Sequence, residues 1–75
     1  MKEGKPTGIN RQDVVQLGKV EFEGQRGQLI GYGSDSTDSR TALDFLRLGF
    51  GDAHLILYGY FHGNEFMEVS RERID

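Results

Sequence analysis

The chain has 75 residues, with 12 acidic and nine basic side chains, a formal net charge of -3, 11 glycines and no cysteine. This length is that of one small domain, and the lack of cysteine excludes disulfide bonds and thiolate zinc sites. The mild negative charge argues against a general nucleic-acid binder, since those usually carry a basic stripe, and no run of 18 apolar residues is present to span a membrane.

Residues 1–8 combine two glycines, a proline and three charged side chains. This composition predicts a flexible tail, followed by a single small β-rich domain over residues 9–75. The tail also lacks the apolar segment of a signal peptide, so we expect a cytoplasmic protein.

The segment I-N-R-Q-D-V-V-Q-L-G contains the start of a helix. Asn10 is suited to cap it, and Asp13 falls at the third helical position, where an acidic side chain is favourable. Ile9 and Val14 occupy the two positions of a hydrophobic staple. We therefore expect a short N-terminal helix; the rival interpretation makes residues 13–17 a first strand.

A β-hairpin is predicted next. Lys19–Glu23 alternates polar and apolar side chains, as a half-buried strand does. Gly24–Gly27 supplies glycines for a tight turn, and Q-L-I-G-Y-G follows as the second strand. Gly31 and Gly33 in that strand indicate a bend or a bulge.

The segment T-A-L-D-F-L-R-L-G-F fits two structures. As a strand, it alternates Leu46, Leu48 and Phe50, and Gly51-Asp52 then forms a two-residue hairpin turn. As a helix over residues 38–48, it would lie on the sheet and give an α+β fold, a ββαββ sandwich. We favour the strand, because a long apolar strand follows at hairpin spacing.

That long strand, H-L-I-L-Y-G-Y-F-H-G, is apolar on both faces. Three arrangements would cover the face opposite the core. A helix over residues 38–48 would lie on it, the barrel would curl strongly at Gly59, or a partner would bind it. The two faces carry different side chains: Leu55, Leu57 and Phe61 on one, and Ile56, Tyr58 and Tyr60 on the other.

Two segments resemble SH3-like small barrels, including KOW-type modules. The first is V-E-F-E-G-Q-R-G-Q-L-I, from Val20 to Ile30, and the second is the closing V-S-R-E-R-I, from Val69 to Ile74. The resemblance implies five short strands and binding through loops and one open face, without a fixed chemistry. The expected fold is thus mainly β, a small five-stranded SH3-like barrel with a short N-terminal helix.

No pattern in the sequence indicates catalysis. The glycines do not form a phosphate-binding loop before a helix, and there is no H-E-x-x-H or C-x-x-C motif. His54 and His62 lie at the two ends of one strand, roughly 26 Å apart at strand rise, so they cannot share a metal. We expect a protein that is not an enzyme, with no metal and no cofactor.

The hypothesis that follows is a small non-catalytic protein-binding domain, acting as a homodimer or as an accessory or inhibitory subunit. Tyrosine is favoured in interfaces because its ring is buried while its hydroxyl stays hydrated. A chain this short that starts at Met1 is typical of stand-alone modulators, such as those of mobile elements. The candidate protein-binding residues are Ile56, Tyr58, Tyr60, His54, Arg71 and Arg73.

Two alternatives involve nucleic acids. In the first, the domain binds RNA or single-stranded DNA, with Tyr58, Tyr60 and His54 stacking on bases while Arg71 and Arg73 hold phosphates. In the second, the domain is an acidic mimic of a nucleic acid. The acidic face would then be formed by Asp35, Asp38, Asp44 and Asp52.

Overall fold

A computed structural model describes residues 4–16, 18–35 and 43–74 of the chain. Within these ranges the chain forms six strands and one short helix. In chain order they are β1 (Lys5–Asn10), α1 (Arg11–Gln16), β2 (Lys19–Phe22), β3 (Gln25–Asp35), β4 (Leu43–Phe50), β5 (Ala53–His62) and β6 (Glu65–Ile74).

All six strands belong to one antiparallel sheet with the order β1-β6-β5-β4-β3-β2. From β2 to β6 each strand pairs with the next along the chain, and β1 is added to the outer edge of β6. The sheet curls until its two edge strands, β1 and β2, lie near each other, which gives a nearly closed barrel. Helix α1 makes the short connection between these edges.

The prediction of a mainly β domain with a short helix near the N-terminus is confirmed, but the described strands number six, not five. The additional strand is β1. It pairs with β6 through Lys5↔Glu68 and Pro6↔Met67, and the Thr7 hydroxyl donates to the Phe66 carbonyl at 3.1 Å. Residues 5–8, part of the segment predicted as a flexible tail, lie in this strand, and residues 1–3 lie outside the described ranges.

The ambiguous segment is a strand. Leu43–Phe50 forms β4, so the alternative helix over residues 38–48 is wrong for the described residues 43–48, while residues 36–42 fall outside the description. Gly51 and Asp52 form the predicted two-residue turn into β5, with Gly51 at a φ of 63°. This left-handed conformation is one that glycine adopts without strain.

Helix α1 starts as the sequence predicts. The Asn10 side chain accepts a hydrogen bond from the Gln12 backbone N–H at 3.1 Å. The Asp13 carboxylate accepts one from the Asn10 N–H at 3.4 Å, so the two side chains cap the helix reciprocally. Ile9 and Val14 are both buried in the core, as a hydrophobic staple requires.

The β2–β3 hairpin turns slightly earlier than predicted. Its turn residues are Glu23 and Gly24, at φ 51° and 78°, and the strands flanking them pair Phe22 with Gln25. Two successive positive φ values match the twist of a two-residue hairpin. The bulge expected near Gly31 is present, as the register with β4 shifts between Leu29 and Gly31.

One apolar core fills the barrel. Among the described residues no polar or charged side chain is fully buried. Phe50, Leu55 and Phe61 are partly buried against this core. The buried side chains are Ile9, Val14, Val20, Phe22, Leu29, Leu46, Leu48, Leu57 and Phe66.

Candidate functional site

Strand β5 separates the core from an outward face. Leu57 is fully buried and lies opposite Leu46 of β4. Successive residues of a strand point to opposite sides of the sheet, so the neighbours of Leu57 point away from the core. These outward side chains are His54, Ile56, Tyr58 and Tyr60, and all four are half-buried.

The neighbouring strand β4 adds two large side chains to the same side. Phe45 lies directly opposite Tyr58, and Arg47 lies directly opposite Ile56. Both are half-buried. We call this surface the tyrosine face and define it by Phe45, Arg47, His54, Ile56, Tyr58 and Tyr60.

Two glycines beside the tyrosine face lie beneath large side chains of the same chain. Gly33 lies opposite Phe45, and a Cβ atom placed on it would come 3.0 Å from the Phe45 ring. A Cβ on Gly49 would come 2.7 Å from the Ile30 side chain. Both large side chains therefore lie across bare backbone and cover it.

Two polar side chains of the tyrosine face, Arg47 and His54, hold each other in place. The Arg47 guanidinium donates to His54 Nδ1, with Nη2 at 2.8 Å and Nε at 3.3 Å. Within the described part of the chain, neither the Tyr58 nor the Tyr60 hydroxyl has a hydrogen-bond partner. A shallow depression of about 340 Å³ lies between Ser34, Phe45, Arg47, Ile56 and Tyr58.

The structure brings four of the six candidate residues together and leaves two elsewhere. His54, Ile56, Tyr58 and Tyr60 share the tyrosine face, whereas Arg71 and Arg73 lie opposite Leu57 and Leu55, on the core side of the sheet.

A β-bulge is the reason for this placement. Tyr58 pairs with Ser70 and Gly59 with Glu68, so Val69 is an extra residue in β6. One extra residue reverses which side chains point inward for the rest of the strand. Without it, Arg71 would share the side of Tyr58.

Arg71 instead joins β6 to the β2–β3 turn. Its guanidinium donates to the Glu68 carboxylate at 2.6 and 2.7 Å and to Glu23 at 3.2 Å. It also lies 5.2 Å from the centroid of the core ring of Phe22. The hydrogen bonds to Glu68, and next those to Glu23, raise the pKa of Arg71 above its ordinary value, so this side chain stays charged.

Sequence reasoning missed Phe45 and Arg47 as members of the tyrosine face. The signal was present in the alternation of β4. Phe45 and Arg47 alternate with Leu46, so they must point outward once the segment is a strand whose leucines point to the core. Because the same segment also fitted a helix, the outward direction of these two side chains was not predicted.

No group of three or more His, Cys, Asp or Glu side chains among the described residues is placed to hold a metal ion. His54 and His62 lie near opposite ends of β5. In the described ranges, no helix has the length and the apolar character needed to cross a membrane.

Comparison of the chain with protein-family models, with curated proteins and with solved structures found no significant match.

Proposed function

We propose that this protein is a non-catalytic protein-binding domain that uses the tyrosine face as its contact surface. One observation carries the proposal: Ile56, Tyr58 and Tyr60 lie on the side of β5 opposite a filled core, and their own chain covers them only in part. When another surface covers a sheet face of this kind and removes it from water, the free energy of the system falls.

The chemistry of the tyrosine face suits a protein partner. Two tyrosines and a phenylalanine supply large rigid rings, and the tyrosine hydroxyls are available for hydrogen bonds across an interface. Arg47 adds a cation that His54 already orients. Aromatic residues and arginine are the types most enriched where protein interfaces bind tightly.

The nucleic-acid alternative has less support. It assigns the phosphates to Arg71 and Arg73, which lie on the core side of β6, and Arg71 is already paired with Glu68 and Glu23. Arg47 is then the one arginine on the tyrosine face that is available to hold a phosphate. The net charge of the chain is -3, which also disfavours a polyanion as partner. A single-strand binder needs a charged groove that follows the backbone as well as stacking rings.

The acidic-mimic alternative has less support still. Asp44 lies near the start of β4, where it accepts a hydrogen bond from Ser34, and Asp52 lies in the turn beyond the end of that strand. Asp38 falls outside the described residues, and Asp35 lies at the end of β3. The two best-placed carboxylates are thus at opposite ends of one strand.

The accessory or inhibitory role and the cytoplasmic location belong to the same proposal, as does a relation to SH3-like barrels. The support for that relation is the hairpin from Val20 to Ile30, which includes most of β2 and the first half of β3.

Replacing both rings tests the proposal. We expect Tyr58→Ala with Tyr60→Ala to weaken binding to a protein partner, or to another copy of the chain, by at least about tenfold, as loss of interface tyrosines does. The matched control is Tyr32→Ala, since Tyr32 is 52% exposed and lies on β3, outside the tyrosine face. Binding would be compared by sedimentation and by affinity capture from cell extract.

Circular dichroism would show whether the double variant keeps its fold. Retained folding with lost binding supports the proposal. Retained binding contradicts it, and so does a double variant that unfolds, because the rings would then belong to the interior.

A further inference from the structure

We propose that the partner at the tyrosine face is a second copy of this chain, packed face to face about a two-fold axis that runs parallel to β5 in front of Ile56. This inference rests on the proposed function and names its partner. Charged, large and small side chains follow one another across β4, β5 and β6 in an order that is complementary to itself under this rotation.

The central row carries one charge of each sign. Arg47 of β4 lies opposite Ile56 of β5, and Ile56 lies opposite Glu72 of β6. Neighbouring strands are about 4.8 Å apart, so the backbones of the two charged residues lie about 10 Å apart on either side of Ile56, and their side chains form no ion pair across it. Within the described residues, Arg47 has no carboxylate partner and Glu72 has no cationic partner.

A two-fold axis along β5 pairs these charges between copies. The rotation leaves positions along the strand unchanged and exchanges left for right, so β4 of one copy faces β6 of the other. Arg47 then faces the partner's Glu72, and the reciprocal pair forms on the other side of two touching Ile56 side chains. Packed sheets cross at about 30°, so the rows nearest the axis keep this alignment best.

The row next to the central one is complementary in size under the same rotation. It consists of Phe45, Tyr58 and Ser70, and it places Phe45 opposite the small partner residue Ser70, as dense packing between two sheets requires. In the row on the other side, Ile30 of the same chain already lies over Gly49. The 40%-exposed Ile74 would therefore meet the partner's 47%-exposed Ile30 in an apolar contact.

The other way to stack the two faces is unfavourable. A two-fold axis that crosses the strands at the Ile56 row would place β4 on β4 and β6 on β6. Arg47 would then face the partner's Arg47, and Glu72 the partner's Glu72, so both contacts would be repulsive. The charge order of the central row therefore selects the axis along β5.

Charge reversal tests this arrangement. Molar mass would be measured by sedimentation equilibrium from micromolar to millimolar concentration for the natural chain, for Arg47→Glu, for Glu72→Arg and for both changes in one chain. We expect each single change to raise the dimer dissociation constant by about tenfold or more, because it faces like charges across the contact. The chain with both changes should return to within about threefold of the natural value, since each pair is again of opposite sign.

The control is Arg26→Glu, an exposed charge reversal on β3 that is expected to leave the dimer unchanged. Circular dichroism would confirm that each variant is folded. The Glu72 side chain is exposed, so Glu72→Arg tests the contact between copies even if Arg47→Glu destabilises the fold.

Two failures are distinguishable. A natural chain that stays monomeric at millimolar concentration overturns the dimer, while the proposed function survives if Tyr58→Ala with Tyr60→Ala abolishes capture of a different protein. The pairing of Arg47 with the partner's Glu72 is overturned if both single charge reversals leave the dimer dissociation constant unchanged. It is also overturned if the combined change does not restore that constant. A dimer that the tyrosine substitutions also leave intact contradicts the proposed function as well.

Discussion

Ile56 and Leu57 are adjacent in the chain but lie in different environments. Leu57 is fully buried against Leu46, whereas Ile56 is half-buried between the charged side chains of Arg47 and Glu72. Both residues are large aliphatics, so hydrophobicity alone does not distinguish them. The barrel has one core, and the apolar side of β5 that points away from it is the surface on which the proposed function depends.

Truncation of these two neighbours should therefore have unequal effects. Leu57→Ala leaves a cavity in the core and is expected to lower the free energy of unfolding by about 3 kcal/mol, close to the whole stability of a domain of this size. Ile56→Ala should cost the monomer about 1 kcal/mol or less. Urea denaturation at low micromolar concentration, where the monomer is measured, would compare them.

Equal losses would show that the tyrosine face is as well covered by its own chain as the core is. The matched pair on the neighbouring strand, Leu46→Ala and Phe45→Ala, repeats the comparison without touching β5. Leu46 is almost fully buried and Phe45 is half-buried.

The sequence was sufficient for the elements whose signals are local. The cap at Asn10 and the turn at Gly51-Asp52 each depend on the conformational preference of one or two residues, and both are present in the structure. The alternation of β4 and β5 likewise grouped Leu46 with Leu48, and Leu55 with Leu57, on one face of each strand, and these faces point to the core. These features need no knowledge of distant parts of the chain.

Features that depend on pairing between distant residues were not predictable in the same way. The segment Lys5–Asn10 has no strand-like alternation, and it is a strand because its backbone pairs with β6 almost sixty residues later. The bulge at Val69 is set by how β6 fits against Gly59, and it decides the side on which Arg71 and Arg73 lie. Counting alternate residues along β6 gives the opposite answer.

Gly59 is expected to be intolerant of any side chain. A Cβ atom there would collide with the Met67 carbonyl oxygen, beside the bulge. Gly59→Ala should lower the free energy of unfolding by about 3 kcal/mol, because backbone cannot move aside as a flexible side chain can. Thermal unfolding followed by circular dichroism would measure it.

Gly31→Ala is the matched control for that substitution. Gly31 also lies at a strand bulge, but its Cβ would meet nothing within 4 Å. Alanine should be tolerated there within about 0.5 kcal/mol. If Gly59→Ala were tolerated equally, the close approach of β5 and β6 at the bulge would be incorrect.

Arg71 is expected to stabilise the barrel by joining β6 to the β2–β3 turn. Arg71→Ala removes the hydrogen bonds to Glu68 and Glu23 and the cation above the Phe22 ring. The Arg71 side chain is 41% exposed, so solvent screens these interactions and the loss should be about 1 kcal/mol in total. Urea denaturation at low and at high salt would measure it, with a smaller loss at high salt.

Arg71→Lys separates charge from geometry. Lysine keeps the charge but lacks the planar fork that contacts both oxygens of Glu68, so an intermediate loss is expected. Arg26→Ala, an exposed arginine on β3, is the control and should change stability by less than about 0.5 kcal/mol. Equal effects at Arg26 and Arg71 would contradict the bridging role.

The reciprocal cap should account for the stability of α1, which spans only Arg11–Gln16 and is too short to form without external support. Asn10→Ala removes the acceptor of the Gln12 N–H and should cost about 1 kcal/mol, whereas Asn10→Gly should cost only a few tenths. Gln16→Ala, at the exposed end of the same helix, should be nearly neutral. Urea denaturation of the three variants would give this order if the cap is responsible. A loss for Asn10→Gly as large as that for Asn10→Ala would instead assign the role of Asn10 to its pairing with Glu65 in the sheet.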